Sequence, residues 1–162
     1  MLILGIDPGT RTTGYGIIRF DHGTAACVEY GTIENKANLT PWQCHVRIAD
    51  GIARLVQEYT FDAAAVESQF FFKNPATALR IGEARAVAVL PVSRAGVVVF
   101  EYAPARVKQS VVGTGAARKE QVQAMVRTLL GLKEPVAQED AADALAIALC
   151  HAHTKRFDQT VP

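Results

Sequence analysis

Three short apolar segments follow one another near the start of the chain, and they restrict its fold more than any other feature. They cover residues 2–6, 14–20 and 26–33, and the turn residues Asp7 and Pro8 come directly after the first. Because only short connections separate the segments, we predict three consecutive strands in an antiparallel meander. The fold is therefore expected to be built on a sheet.

Beyond the meander, helical and strand-like patterns alternate along the chain. Two short apolar segments at 63–66 and 97–100 are typical of buried strands. Helical spacing of apolar residues predicts helices over residues 41–59, 74–92, 105–111, 119–130 and 139–152. This order predicts an α/β domain with a mixed five-stranded sheet, three antiparallel strands followed by parallel ones, and helices on both faces.

One domain accounts for the whole chain. Its 162 residues are an ordinary length for one domain, and a hydrophobic content of 49% is enough for a buried core. We expect the domain to span residues 1–153 and the polar tail at 154–162 to be frayed. The glycines at 113 and 115 predict a flexible loop between two of the helices.

The basic residues are distributed unevenly, although the net charge is only +1. Residues 73–133 contain ten lysines and arginines against three acids, a local charge of +7, while the remainder has a balance of −6. A basic region beside an acidic remainder is typical of a protein that binds phosphates with one part. The alternative is a set of helices with solvated basic faces.

Nothing in the sequence predicts export or a membrane location. The apolar residues at 2–6 lack a basic start and lead directly into Asp7, and no apolar run approaches the ~18 residues that span a bilayer. Cys27, Cys44 and Cys150 are odd in number and widely spaced, so they predict neither a disulfide framework nor a zinc site. We expect a cytoplasmic protein with reduced thiols.

Four carboxylates are the candidate functional residues. Asp7 and Glu67 each follow an apolar strand, at the sheet edge where open α/β folds place ligands. Asp140 and Asp143 are three residues apart in the first turns of a predicted helix, so they share one helix face. We expect all four to converge. Taken singly, Asp7 also fits an ordinary turn and Asp140 a helix cap.

Such a cluster predicts divalent metal ions. Gathered carboxylates repel one another and raise their own pKa values, and Mg²⁺ prefers hard oxygen ligands. Two ions about 4 Å apart can activate a water and stabilise the leaving oxygen in phosphodiester hydrolysis. The four acids are therefore predicted to be both metal ligands and catalytic residues, with Mn²⁺ as a substitute for Mg²⁺.

The segment Gly-Ile-Asp-Pro-Gly-Thr-Arg-Thr-Thr-Gly-Tyr-Gly at 5–16 resembles the opening of the RuvC Holliday junction resolvases. Further similarities follow in order over nearly the whole chain, including Phe100-Glu101-Tyr102-Ala103, Val111-Val112-Gly113 and Asp140-Ala141-Ala142-Asp143-Ala144-Leu145-Ala146. The resemblance implies a ribonuclease-H-like fold. It also implies a homodimer that makes paired nicks in two like-polarity strands of a four-way DNA junction, in recombination and repair, beside the RuvA–RuvB branch-migration complex.

The resemblance assigns roles to further residues. The same four acids are implied as the catalytic set, Lys108 and Lys119 as residues that hold DNA, and Phe70 as an aromatic that inserts near the junction centre. Arg118 is expected to share the phosphate contacts. The dimer helix is implied to contain Arg80, Gly82, Arg85 and Ala86. Core packing remains the alternative for Phe70 and for the small residues of that helix.

Three other classes of protein fit parts of the pattern. ATP-binding proteins of the actin and sugar-kinase class also begin with a strand followed by Asp, but they need two domains around a cleft. Other nucleases on the same fold, such as ribonuclease H, would cut an RNA–DNA hybrid. A DNA-binding protein without catalysis would not need the four acids.

Overall fold

The computed structural model describes residues 1–68 and 74–160, which form a sheet with helices on both faces. The strands are β1 (Leu2–Asp7), β2 (Thr12–Asp21), β3 (Thr24–Glu34), β4 (Ala63–Glu67) and β5 (Val99–Tyr102). The helices are α1 (Pro41–Glu58), α2 (Pro75–Arg94), α3 (Pro104–Val112), α4 (Lys119–Leu129) and α5 (Glu139–Thr160).

The five strands form one mixed sheet in the order β3-β2-β1-β4-β5. The β1–β2 and β2–β3 pairs are antiparallel, whereas β1–β4 and β4–β5 are parallel. The predicted meander followed by parallel strands is therefore confirmed. Two parallel neighbours place the ends of β1, β4 and β5 at the same edge of the sheet.

Each face of the sheet carries its own hydrophobic cluster. Successive residues of β1 point to opposite faces, so Ile3 packs with α3, α4 and α5 while Leu4 packs with α1 and α2. Leu145 and Leu149 of α5 are fully buried, and each such side chain contributes about 1.5–3 kcal/mol of burial free energy. Helices on both faces are confirmed.

Helix α5 lies directly on the sheet because glycines remove the side chains that would separate them. A Cβ atom at Gly5 would lie 2.0 Å from the carbonyl oxygen of Ala144, and one at Gly14 would lie 2.0 Å from the carbonyl oxygen of Asp140. A Cβ at Gly16 would meet Leu145 at 2.8 Å. These contacts fix the position of the start of α5 over β1 and β2.

Several predicted boundaries differ from those in the structure, among them those of the last helix and the fifth strand. The last helix continues to Thr160, beyond the predicted end at residue 152 and into the predicted tail at 154–162. No glycine or proline interrupts residues 153–160. The fifth strand begins at Val99 instead of residue 97, because its pairing with β4 starts between Val99 and Ala64.

Among the described residues, no helix is both long enough and apolar enough to cross a membrane.

Candidate active site

Asp7 and Glu67 are neighbours at the ends of two adjacent parallel strands. Ile6 of β1 is in register with Val66 of β4, and the two acids take the next position on each strand. Asp7 also pairs with Gly14, which faces the start of α5. Both carboxylates therefore project from the face of the sheet that α5 covers, as the strand ends predict.

Asp140 and Asp143 approach the same place from the start of α5. The Asp140 backbone lies against Gly14, the partner of Asp7 in the sheet. Three residues further along the helix, Asp143 lines a cleft together with Asp7 and Glu67. The structure thus brings together the four acids that the sequence singles out, with Asp140 beside the cleft.

Burial and neighbouring negative charges raise the pKa of three of these acids. Burial raises the pKa of Asp7 to about 7, with further contributions from the negative charges of Asp143, Glu67 and Asp140. Burial also raises the pKa of Glu67, and the charge of Asp143 adds to it. The pKa of Asp140 is raised by burial as well, against an opposing effect of Lys119. Crowded carboxylates of this kind gain stability when a cation enters.

Two lysines oppose the acids. Lys119 is the first residue of α4, and its Nζ lies 3.0 Å from Asp143 Oδ2 and 3.0 Å from Glu139 Oε2. Lys108 of α3 lines the cleft, and its charge lowers the pKa of Glu67. Arg118 is exposed, and its backbone N–H donates to Gln121 Oε1 at 2.9 Å. Of the three predicted basic residues, only the lysines line the cleft.

The cleft combines these charged walls with an apolar floor. Besides the three acids and two lysines, it is lined by Pro104, Val107, Val122, Ala146 and Ile147. Fixed charges beside a surface of low polarity act more strongly than they would in open water. The arrangement suits a phosphate group, which needs cations around its oxygens and a group that activates water.

The chemistry of the donors fits a divalent cation. All four acids offer hard oxygen ligands of the kind that Mg²⁺ binds. Within residues 1–68 and 74–160, however, no three acidic, histidine or cysteine side chains are close enough to ligate one ion as they stand. The Lys119 ammonium supplies positive charge at Asp143. A metal that used this oxygen of Asp143 would compete with Lys119 for it.

The predicted dimer residues do not share one face of α2. Gly82, Arg85 and Ala86 line a groove beside β5, where Arg85 pairs with Glu101. Arg80 instead lines a different groove, towards α1. Phe70, the predicted junction-inserting aromatic, lies outside the described residues.

Sequence reasoning missed two contributors to this site. Gly14 is one, and the signal was two glycines at alternate positions of a strand, which remove side chains from a single face. Glu139 is the other, because only the fold brings it to Lys119. A run of acids at a helix start is common, so its spacing offered no signal.

Comparisons with known proteins show which family the chain resembles. The family model described as crossover junction endodeoxyribonuclease RuvC matches residues 3–151. The chain is 46% identical to a protein of that description from Syntrophomonas wolfei, over 97% of this chain and 91% of the relative. A similar protein from Tolumonas auensis is 48% identical over 96% of this chain and 88% of the relative.

A solved structure of Thermus thermophilus RuvC in complex with a Holliday junction substrate superposes with a TM-score of 0.92. It is 34% identical, and the match covers 98% of this chain and 96% of that one. The fold is therefore of the ribonuclease-H-like class. More narrowly, the chain belongs to the RuvC family of crossover junction endodeoxyribonucleases.

Proposed function

We propose that this chain resolves Holliday junctions by nicking two like-polarity strands of a four-way DNA junction. The family match and the Thermus thermophilus complex support the substrate. The observation that supports the chemistry is that Asp7, Glu67 and Asp143 line one cleft with two lysines, with Asp140 beside it. We assign this activity to a single domain over residues 1–153.

The four carboxylates are proposed as the catalytic and metal-binding set. The family implies use of a divalent metal, and we propose two Mg²⁺ ions per site, replaceable by Mn²⁺. When bound, such ions lower the pKa of water and offset charge on the phosphate oxygens. Asp7 takes the central place, because the other three acids all raise its pKa.

The lysines are proposed to bind and orient the backbone phosphate. Lys108 and Lys119 line the cleft together with the acids, so a phosphodiester bound there would have positive charge beside it. In hydrolysis, charge builds on the phosphate oxygens, and fixed cations stabilise it. Arg118 is exposed beside Lys119 and is assigned to a neighbouring phosphate. Phe70 is assigned to stacking on unpaired bases at the junction centre.

Paired nicking requires two active sites, so we propose a homodimer. The outer side of α2 supports it, because a side chain at Gly82 would meet nothing within 4 Å and Leu79 and Leu90 are exposed. This interface would use Gly82, Arg85 and Ala86, with Arg80 at its margin. We further propose that the dimer works in the cytoplasm beside the RuvA–RuvB complex.

A panel of substrates tests the function. The purified protein is incubated with a synthetic four-way junction, a matched linear duplex and an RNA–DNA hybrid, with Mg²⁺ or with EDTA. Symmetric nicks in the junction alone, and only with metal, are expected. Cutting of the RNA–DNA hybrid instead would show that the four-way junction is not the substrate. Tight junction binding without any cutting would show that the four acids are not catalytic.

A further inference from the structure

Helix α5 begins with an acid that the proposed chemistry does not use. Glu139 is the first residue of the helix, and its side chain is 71% exposed, at the rim of the site. Its Oε2 atom nevertheless accepts a hydrogen bond from Lys119 Nζ at 3.0 Å. Glu139 is not among the residues that line the cleft. Its side chain reaches the site through the lysine, and its negative charge also raises the pKa of Asp140, which it directly precedes.

The position of Lys119 needs such support. It stands at the first position of α4, where the helix dipole disfavours a cation, and Arg118 directly precedes it. The two carboxylates that its ammonium contacts, Asp143 and Glu139, both come from the start of α5. Lys119 thus bridges two acids that are four residues apart on another helix.

The two acids that contact Lys119 differ in whether a divalent cation in the cleft would reach them. Asp143 faces the cleft, so a cation bound there competes with Lys119 for its oxygen. Glu139 lies outside the cleft and keeps its oxygen available to the lysine. A lysine that lost Asp143 without another anchor would be free to leave the place where it meets a phosphate.

We propose that Glu139 is a positioning residue that retains Lys119 at the active site when Asp143 binds a divalent cation. The proposal rests on the proposed metal-dependent nuclease function. With Glu139 present, Lys119 and the cation can occupy the site together, because the ammonium gives up its contact with Asp143 and keeps the one with Glu139. Removal of Glu139 leaves Asp143 as the anchor, and the lysine and the cation then compete directly.

The first test measures cation binding without DNA or catalysis. Mn²⁺ alone is titrated into the full-length protein and followed by electron paramagnetic resonance, for wild type, Glu139→Ala, Glu139→Gln and Glu120→Ala. Glu120 is an exposed acid beside Lys119, so its removal changes the charge equally. We expect Glu139→Ala to weaken Mn²⁺ binding by roughly threefold to fivefold, the upper part of the range for an ion pair near the surface. Glu120→Ala should have a smaller effect, and the Gln variant, which keeps an oxygen acceptor, should recover part of the affinity.

The second test is a double-mutant cycle with Lys119→Met. If Glu139 acts through the lysine, its removal in the Lys119→Met background should weaken Mn²⁺ binding no more than removal of Glu120 does. An undiminished effect in that background, or equal effects of the Glu139 and Glu120 variants, would overturn the proposal. Thermal unfolding in EDTA checks that each variant folds.

Single-turnover cleavage of a four-way junction completes the test. Glu139→Ala should slow cleavage at saturating Mg²⁺, with partial rescue by Glu139→Gln, because the lysine is misplaced even when the metal is bound. An unchanged rate would contradict the positioning role. Failure of the wild-type protein to cut any junction would instead refute the proposed function, and the Mn²⁺ cycle would still report on Glu139.

Discussion

The acidic and basic walls of the cleft are held in place by different means. Asp7 and Glu67 end strands that are paired on both sides within the sheet, and the start of α5 rests on Gly14 by backbone contact. Lys108 and Lys119 come instead from α3 and α4, which are joined by a loop at 113–118. The acids of β1, β4 and α5 are therefore positioned by backbone packing, whereas the Lys119 ammonium depends on side-chain contacts with α5 in addition to the packing of α4.

The largest effect is expected on the acidic wall. Replacing Glu67 with Gln keeps its shape but removes a charge, and we expect junction cleavage to fall on the order of 10³-fold, as for loss of a key electrostatic group. Glu58→Gln, on an exposed acid at the end of α1, is the control and should leave the rate unchanged. Single-turnover rates measure both. A Glu67 variant that cuts normally would remove this acid from the catalytic set.

The next largest effect is expected from disturbing the contact between the sheet and the start of α5, which positions the acids of that helix. In Gly14→Ala the new Cβ would meet the Asp140 carbonyl, a backbone atom that moves only if α5 moves. We expect the free energy of unfolding to fall by about 1–3 kcal/mol and cleavage to fall with it. Gly82→Ala is the control for the free energy of unfolding alone, because Gly82 lies in the proposed dimer interface; its Cβ meets open space within a helix of the single chain, and it should stabilise by about 0.5–1 kcal/mol.

Urea unfolding at two protein concentrations separates these effects from dimer dissociation. If Gly14→Ala were as stable and as active as the wild type, α5 would not depend on close contact with the sheet.

A third prediction concerns pH in the absence of metal. The pKa of Asp7 is raised from 3.8 to about 7 in the folded protein, so the folded state holds this proton more tightly than the unfolded state. The stability that this proton contributes is present below pH 3.8 and is lost as pH rises through 7. Between these two pH values the free energy of unfolding falls by at most about 1.4 kcal/mol per pH unit.

Unfolding in EDTA across pH 4 to 8 measures this slope. Asp7→Asn should flatten the curve and stabilise the metal-free protein at neutral pH, and added Mg²⁺ should stabilise the wild type there. An identical pH dependence in the wild type and the Asn variant would show that the negative charge of Asp7 does not destabilise the metal-free protein.

The smallest effect is expected on the basic wall. Lys108→Met removes one proposed phosphate contact, and we expect junction binding to weaken and the slope of log K against log salt to decrease by about 0.9. Lys36→Met, on a residue between β3 and α1, is the control. Titrations in Ca²⁺ at several salt concentrations measure the slopes. Equal slopes for wild type and Lys108→Met would exclude that contact.

Much of this architecture could be predicted from the sequence, because strands and acids carry local signals. The apolar segment that ends at Asp7 indicates both a buried strand and an acid at its edge, and the one that ends at Glu67 does the same. Their adjacency follows from parallel pairing of β1 with β4. The order of helices and strands followed from periodicity in the same way.

The remaining features depend on contacts between distant residues. Gly14 and Asp140 touch although more than a hundred residues separate them, and Lys119 reaches Glu139 from another helix. Neither contact leaves a pattern in local spacing. The length of α5 was also underestimated, because polarity after residue 153 resembled a tail although nothing there breaks a helix.

The most direct measurement compares the wild type and Asp7→Asn on a synthetic four-way junction with Mg²⁺, recording binding and cutting in the same samples. Asp7 is the acid whose pKa all three other carboxylates raise, so its charge should be needed for the metal-dependent step and not for the fold. We expect the variant to bind the junction as tightly as the wild type and to cut it at least on the order of 10³-fold more slowly. A variant that binds and cuts like the wild type would contradict a catalytic centre built on these four carboxylates.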